Sequence, residues 1–225
     1  MNSTELQRLN QMLNNALLTL VPCEEGLSLM HEAFTPIRVD FLSNKLQYRT
    51  KHSTLSEMVA KACGAKRKPS VLDLTAGLGR DAFLLASLGC NVRMIERNPI
   101  MHALLEDGLK RLKQQQPDIP LSLMFLNSKT LTKEQLINTG IPDVVYIDPM
   151  HPQRTKSALV KKEMRILREL VGDDLDKCEL LDIAFNLGCK RIVIKWPVKA
   201  PLILSRKPTG SFKGKSTRFD VFQLI

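Results

Sequence analysis

The 225-residue chain, 44% hydrophobic, is long enough to bury a full core, and one main domain with a small appendage is the expected organisation. It holds no run of roughly 20 apolar residues that would cross a membrane, and the start, MNSTELQRLNQ, lacks the basic-then-apolar order of a secretory signal; a cytoplasmic protein without membrane association is expected. Five dispersed cysteines and four scattered histidines form neither a C-x-x-C pair nor a metal-ligand spacing, which predicts reduced thiols and no metal, and the net charge of +10 favours a polyanionic partner.

From the N-terminus, Leu6, Leu9, Leu13, Leu17 and Leu20 recur at helical spacing and predict an amphipathic helix within the first 21 residues. Leu27 to His31, Ile37 to Phe41 and Lys45 to Thr50 read as short strands, the last two joined as a hairpin at Ser43-Asn44. A small N-terminal β appendage over residues 1–52 is therefore expected ahead of a main domain over residues 53–225. Leu55 to Cys63 reads as a helix, and the basic loop Lys66-Arg67-Lys68-Pro69 reads as a solvated linker or a nucleic-acid contact.

Val71 to Asp81, VLDLTAGLGRD, is the first stretch that carries chemistry. A strand ends at Asp73, the small-residue turn Thr75-Ala76-Gly77-Leu78-Gly79 follows, and an amphipathic run to Leu88 completes half a βαβ unit. Glycine suits such a turn because it accepts positive φ and lets a ligand approach the backbone. Asp81 reads as the N-cap of the helix. The next strand, Asn91 to Ile95, delivers Glu96 at the spacing, about 20 residues on, at which an acidic side chain reaches ribose hydroxyls. A nucleoside cofactor is thus expected. Gly77-x-Gly79-x-x-Ala82 also fits the dinucleotide fingerprint. Asp73 separates the two, because a carboxylate before the turn repels a pyrophosphate but accepts from the ammonium of S-adenosylmethionine, which has no phosphate.

Further along, Asn98 to Gln115 predicts a helix and Leu121 to Leu126 a strand ending at Asn127-Ser128, a pair that either meets the base of a nucleoside or caps the short helix near Thr132. Asp143 to Ile147 is a fourth strand running into Asp148-Pro149. Proline stops the strand and holds the residue before it extended, so Asp148 is aimed out of the sheet end; Asp-Pro is also a plain turn former. Ser157 to Leu170 and Asp173 to Leu187 predict helices, the first bearing Lys156, Lys161, Lys162 and Arg165, which suit either phosphate contacts or a solvated face. Arg191 to Lys195 is a fifth strand. The ending, Gly210 to Gly214 then Arg218 to Ile225, predicts an antiparallel hairpin closing the sheet. The charge is concentrated late: from His151 onward 16 Lys and Arg stand against 8 Asp and Glu, and before it 17 against 15. A basic C-terminal third suits nucleic acid.

The combination DLTAGLGRDAFLLASLG, RMIERNP, VVYIDPMHP, KSALVKKEMR and the terminal RFDVF resembles the ribosomal small-subunit methyltransferase J family, from about Ile37 to the C-terminus. The resemblance implies a Rossmann-like class I methyltransferase fold, α/β with a mostly parallel doubly wound sheet. It implies S-adenosylmethionine as cofactor and the N2 amine of a guanine in 16S ribosomal RNA, or in the small ribosomal subunit, as target. By position it implies cofactor contacts at Arg80, Asp81, Glu96, Arg97, Asn127, Ser128 and Asp148, beside the Asp73, Gly77 and Gly79 read from the residues themselves. The chain departs from the family in carrying His151 where an aromatic is common, and Asn127-Ser128 where two serines are common.

For such a reaction the protein chiefly holds the amine in line with the methyl carbon. An acceptor for its N–H bonds favours the developing ammonium, and Asp148 with the backbone at Pro149 is the expected catalytic pair. Lys156, Lys161, Lys162, Arg165 and Lys195 are the expected RNA contacts. Two other readings compete: a nicotinamide-dependent oxidoreductase, which leaves Asp73 and Asp148-Pro149 unexplained, and a non-catalytic RNA-binding protein that has kept a cofactor pocket.

Overall fold

The computed structural model describes residues 1–13, 17–32, 34–52, 55–137, 139–149, 177–203 and 206–224. The first of them form helix α1 (Ser3–Gln11), capped by the Asn2 side chain, and an antiparallel three-stranded sheet of β1 (Leu18–Cys23), β2 (Gly26–His31) and β3 (Phe34–Ile37). Three expectations for this region fail. The helical spacing does not run through to Leu20: the helix stops at Gln11 and Leu20 lies in β1, where the Asn10 side chain bonds its backbone N–H and carbonyl and holds the strand against α1. The predicted strand Ile37 to Phe41 is irregular beyond Ile37, although Val39 and Phe41 are buried. The predicted hairpin strand Lys45 to Thr50 is a helix, α2 (Asn44–His52). The alternation of Leu46 and Tyr48 suggested a strand, but Ser43 is no hairpin turn: its carbonyl accepts the Gln47 N–H as the first helical bond. Tyr48 and His52, one turn apart, stack.

A short helix α3 (Met58–Cys63) leads into the main sheet. Its parallel strands are β4 (Ser70–Asp73), β5 (Asn91–Glu96), β6 (Leu121–Phe125), β7 (Val144–Ile147) and β8 (Arg191–Pro197). The C-terminal hairpin of β9 (Gly210–Lys213) and β10 (Thr217–Gln223) joins antiparallel, as the sequence predicts. The spatial order is β6-β5-β4-β7-β8-β10-β9. The chain therefore winds outward from β4 through β5 and β6 and then returns to place β7 beside β4, which makes their carboxyl ends a topological switch point where ligands bind.

Helices α4 (Arg80–Ser87) and α5 (Pro99–Gln115) follow β4 and β5; α6 (Lys133–Ile137) and α7 (Lys177–Asn186) are the other described helices. Alternation splits the core between the two faces of the sheet. Val71, Val92, Met94, Val144, Tyr146 and Val193 join α3, α4, α5 and the N-terminal sheet. Leu72, Ile95, Val145, Ile147, Ile192 and Ile194 pack with α6 and α7 on the other face. Burial on both faces is why these strands read as near-continuous apolar runs. The predicted helix Ser157 to Leu170 and His151 lie outside the described residues.

Candidate active site

The turn after β4 is pinned at both ends. Leu74 N–H donates to Tyr146 O and Ala76 N–H to Ile95 O, tying the loop to both neighbouring strands. Gly77 and Gly79 take φ of 54° and 68°, the left-handed region that excludes most side chains. The two glycines serve different purposes. A Cβ at Gly79 would lie 2.9 Å from Phe41 Cζ, so that position is needed for packing, whereas at Gly77 the nearest atom would be 3.8 Å away and the backbone is open.

Asp73 is 3% exposed, and its Oδ1 accepts from the N–H and, weakly at 3.4 Å, the hydroxyl of Thr75. Burial pushes its carboxyl up to about 7, with the Asp148 and Asp81 carboxylates adding to the shift. Thr75 Oγ1 also accepts the Asp148 N–H at 2.7 Å, so one hydroxyl fastens the β4 turn to the end of β7.

Asp81 does not act as the helix cap expected of it. Gly79 is the N-cap residue, and the Asp81 side chain instead gathers three elements. Its Oδ2 accepts from Tyr146 Oη at 2.9 Å and Lys195 Nζ at 2.9 Å, and its Oδ1 pairs with Arg49 of α2 at 3.3 Å. Burial alone would raise this carboxyl; the Lys195 ammonium, then Arg49 and the Tyr146 hydroxyl, outweigh it and hold it below the ordinary range. Lys195 Nζ reaches Asp148 Oδ2 at 2.8 Å as well. Burial works against that ammonium, but the two carboxylates raise it, so it stays charged. Asp148 is raised by burial, opposed by Lys195 and reinforced by Asp81. Lys195, expected on a phosphate-binding face, is thus committed among the described residues to two carboxylates in the crevice.

Glu96 closes the other side of the turn, 6% exposed, with Oε1 accepting the Asn98 N–H at 2.8 Å. Burial raises its carboxyl, while the backbone N–H groups of Asn98, Arg97 and Gly77 counter the shift, which puts the carboxylate against the glycine turn. After β6, Asn127 and Ser128 part company. Asn127 is exposed and caps a single 3₁₀ turn through Lys129 N–H, whereas Ser128 is buried and donates to Leu74 O at 2.6 Å. Arg80 is exposed at the start of α4, Arg97 is half-buried, and Pro149 is buried.

The switch point therefore assembles Asp73, Gly77, Gly79, Asp81, Glu96, Ser128, Asp148 and Lys195, with Asn127, Arg80 and Arg97 around its rim. Lys156, Lys161, Lys162 and Arg165 lie outside the described residues. Three contributors went unread in the sequence. Thr75 is hidden inside the small-residue turn, Arg49 sits in the segment misread as a strand, and Tyr146 is a lone hydroxyl in an aliphatic strand, the one signal that the sequence did carry. Among the described residues no cluster of three or more His, Cys, Asp or Glu is arranged to hold a metal, and no helix is long and apolar enough to cross a membrane.

Comparison with known proteins agrees with this chemistry. A family model described as "Putative SAM-dependent methyltransferase" matches residues 4–224. The ribosomal RNA small subunit methyltransferase J of Dechloromonas aromatica is 48% identical over 88% of this chain and 84% of its own, and that of Pseudomonas aeruginosa is 46% identical over 88% and 79%. The crystal structure of a SAM-dependent methyltransferase from Neisseria gonorrhoeae superposes with a TM-score of 0.74 at 30% identity, covering 99% of this chain and 92% of that one. The nicotinamide oxidoreductase reading is not supported, since the matching family model and the Neisseria structure are both described as SAM-dependent methyltransferases. The chain belongs to the ribosomal RNA small subunit methyltransferase J family of S-adenosylmethionine-dependent methyltransferases.

Proposed function

We propose that this protein transfers a methyl group from S-adenosylmethionine to the exocyclic N2 amine of a guanine in 16S ribosomal RNA, free or within the small ribosomal subunit, in the cytoplasm. The observation that supports it most is the pairing, in one crevice, of two buried carboxylates beside an open glycine turn with Asp148-Pro149 at the end of the adjacent strand.

The residues suit the cofactor. Asp73 accepts only from Thr75 among the described residues, through Oδ1, which leaves its second oxygen for the cofactor ammonium; burial raises the carboxyl to about 7, and the arriving cation would draw it into its charged form. On this reading Glu96, with Arg97 beside it, holds the ribose, Asn127 and Ser128 border the base, and Gly77, Gly79 and Arg80 form the rim. Asp81 acts by holding α4 against β7, β8 and α2. The bound cofactor supplies an electrophilic methyl carbon on a sulfonium.

The guanine amine is a weak nucleophile because its lone pair is delocalised into the ring. An acceptor for its N–H bonds favours the localised pair and the positive charge that develops as the carbon–nitrogen bond forms. Asp148 has one oxygen anchored by Lys195, and its Oδ1 is engaged by no described residue. That oxygen and the Pro149 carbonyl are the acceptors assigned to the amine. Because the N2 edge lies in a stack or pair, the base is extruded to reach them. The basic residues Lys156, Lys161, Lys162 and Arg165 hold the surrounding phosphates.

The direct test is transfer of labelled methyl from S-adenosylmethionine to 16S ribosomal RNA and to small subunits lacking the modification, with the methylated nucleoside identified by mass spectrometry. N2-methylguanosine is the expected product. Cofactor binding without transfer to either substrate would leave an RNA-binding protein that has kept its pocket.

A further inference from the structure

A cleft of about 940 Å³ lies outside the crevice, between the N-terminal sheet, α2 and the glycine turn. That is near the upper end of the range for ligand sites, about 300 to 1,000 Å³. Three features of its lining point to one kind of occupant.

The first is an aromatic platform. Tyr48 and His52 on α2 stack with ring centroids 4.0 Å apart and planes 25° from parallel, yet both are exposed, and Tyr48 is 66% exposed. A stacked pair turned to solvent offers a π face that any base can cover. The second is cationic lining from Arg38, Lys45 and Arg80. Arg49 makes a fourth cation in the lining, against the three acids Glu25, Asp40 and Glu57, and Asp40 is paired with Arg111, which lies outside the cleft, so the lining is basic on balance although Arg38 and Arg49 are themselves paired with Glu25 and Glu57. The Arg38 side chain is 28% exposed, so part of its guanidinium faces the solvent. The third is a link to the reaction centre. Arg49, next to Tyr48, bonds Asp81, which shares Lys195 with Asp148. Leu78 and Arg80 of the turn also line the cleft.

We infer that this cleft seats single-stranded ribosomal RNA next to the target guanine, one base stacked on Tyr48 and the adjoining phosphates held by Arg38, Lys45 and Arg80. This gives the N-terminal sheet and α2 a substrate-recognition role, and it rests on the RNA-methylating function proposed above. The cleft meets the glycine turn at Leu78 and Arg80, so nucleotides held there flank the extruded guanine.

The test uses the full chain and three readouts: anisotropy of a fluorescein-labelled single-stranded RNA, calorimetric affinity for S-adenosylmethionine, and labelled methyl transfer to 16S ribosomal RNA. Tyr48→Ala is expected to weaken RNA binding about five- to 150-fold, the range for loss of one base stack, and to raise KM for RNA. Tyr48→Phe is expected to stay within about twofold of wild type, because a phenyl ring stacks equally well. Arg38→Gln and Lys45→Glu are expected to weaken RNA binding and reduce its salt dependence. Cofactor affinity is expected to hold throughout. Wild-type RNA affinity in Tyr48→Ala and Lys45→Glu would overturn the inference, and so would a parallel loss of cofactor affinity, which would make the cleft part of the cofactor pocket. Absence of methyl transfer by the wild type would refute the proposed function instead, while the anisotropy series still decides whether RNA occupies the cleft.

Discussion

Lys195 Nζ lies 2.8 Å from Asp148 Oδ2 and spans to Asp81 at 2.9 Å, so one ammonium fixes the carboxylates at the ends of two structural elements. Lys195→Met keeps the bulk of the stem and removes the charge. It should cost about 1.5 to 3 kcal/mol, the range for hydrogen bonds to charged groups, reduced somewhat because Asp148 is partly exposed. Methyl transfer per folded molecule should fall with it. Denaturant unfolding and single-turnover transfer measure the two effects. A variant defective only in the salt dependence of RNA binding would return Lys195 to a phosphate-contact role.

The glycine turn, Glu96 and Asp148-Pro149 were legible because strand, turn and helix signals occur there in strict order and the acids fall at strand ends. What the sequence concealed is pairing between distant segments. Nothing local marks Arg49 as the partner of Asp81, 32 residues on, or Thr75 Oγ1 as the acceptor for Asp148 N–H, 73 residues on. The same limit explains α2. Leu46 and Tyr48 alternate as in a strand, but the segment buries no residue fully, so no hydrophobic face existed to reveal its period. Asp81 misled for a different reason: an acid in the first turn of a helix has the look of a cap, and only the fold shows that Tyr146 and Lys195 have claimed it.

Asp73 should make the protein sensitive to pH. Its folded value of about 7 lies above the ordinary 3.8, so the folded state holds an extra proton between those limits. Stability from this group is therefore fully present below about pH 4 and is lost as pH rises toward 7. Thermal melting from pH 4 to 8 should show Asp73→Asn gaining on wild type as pH rises. If the cofactor ammonium binds the carboxylate, binding near pH 7 should also release protons. Calorimetry in buffers of different ionisation enthalpy reads that release, and Asp73→Asn should abolish it.

Glu96 offers a simpler measurement. Glu96→Ala should weaken S-adenosylmethionine by about 1.5 to 3 kcal/mol, the worth of a hydrogen bond to a charged group. Unchanged affinity in a folded variant would remove Glu96 from the ribose.

Arg218 makes a prediction about stability alone. It is 5% exposed, pairs with Asp220 at 2.8 Å, and donates to the carbonyls of Pro197, Val198, Ala200 and Pro201. It therefore ties the loop after β8 to β10. Arg218→Met leaves Asp220 buried with only Ser211 as a side-chain donor among the described residues. A loss of about 3 to 5 kcal/mol is expected, as for other broken buried pairs. Urea unfolding measures it, and a loss under about 1 kcal/mol would mean that solvent replaces the pair.

Asp148 carries the decisive catalytic prediction. Its backbone is fixed by Thr75, one carboxylate oxygen is fixed by Lys195, and Pro149 prevents the strand from continuing. If the remaining oxygen accepts from the guanine amine, Asp148→Ala should lower methyl transfer by about a hundredfold or more, equivalent to ~2.7 to 4 kcal/mol of barrier. Cofactor affinity should change much less. Asp148→Asn retains an oxygen acceptor but loses the charge that matches a developing ammonium, so it should fall between wild type and alanine. Because burial raises the wild-type carboxyl, its rate should decline on acidification at a pH above the ordinary carboxylate range, and this acidic limb should vanish in Asp148→Asn. Single-turnover transfer at saturating cofactor, paired with cofactor affinity and melting of each variant, separates the outcomes. Wild-type rate in folded Asp148→Ala would exclude the carboxylate from the chemistry, and a defect confined to cofactor affinity would move it into the cofactor pocket.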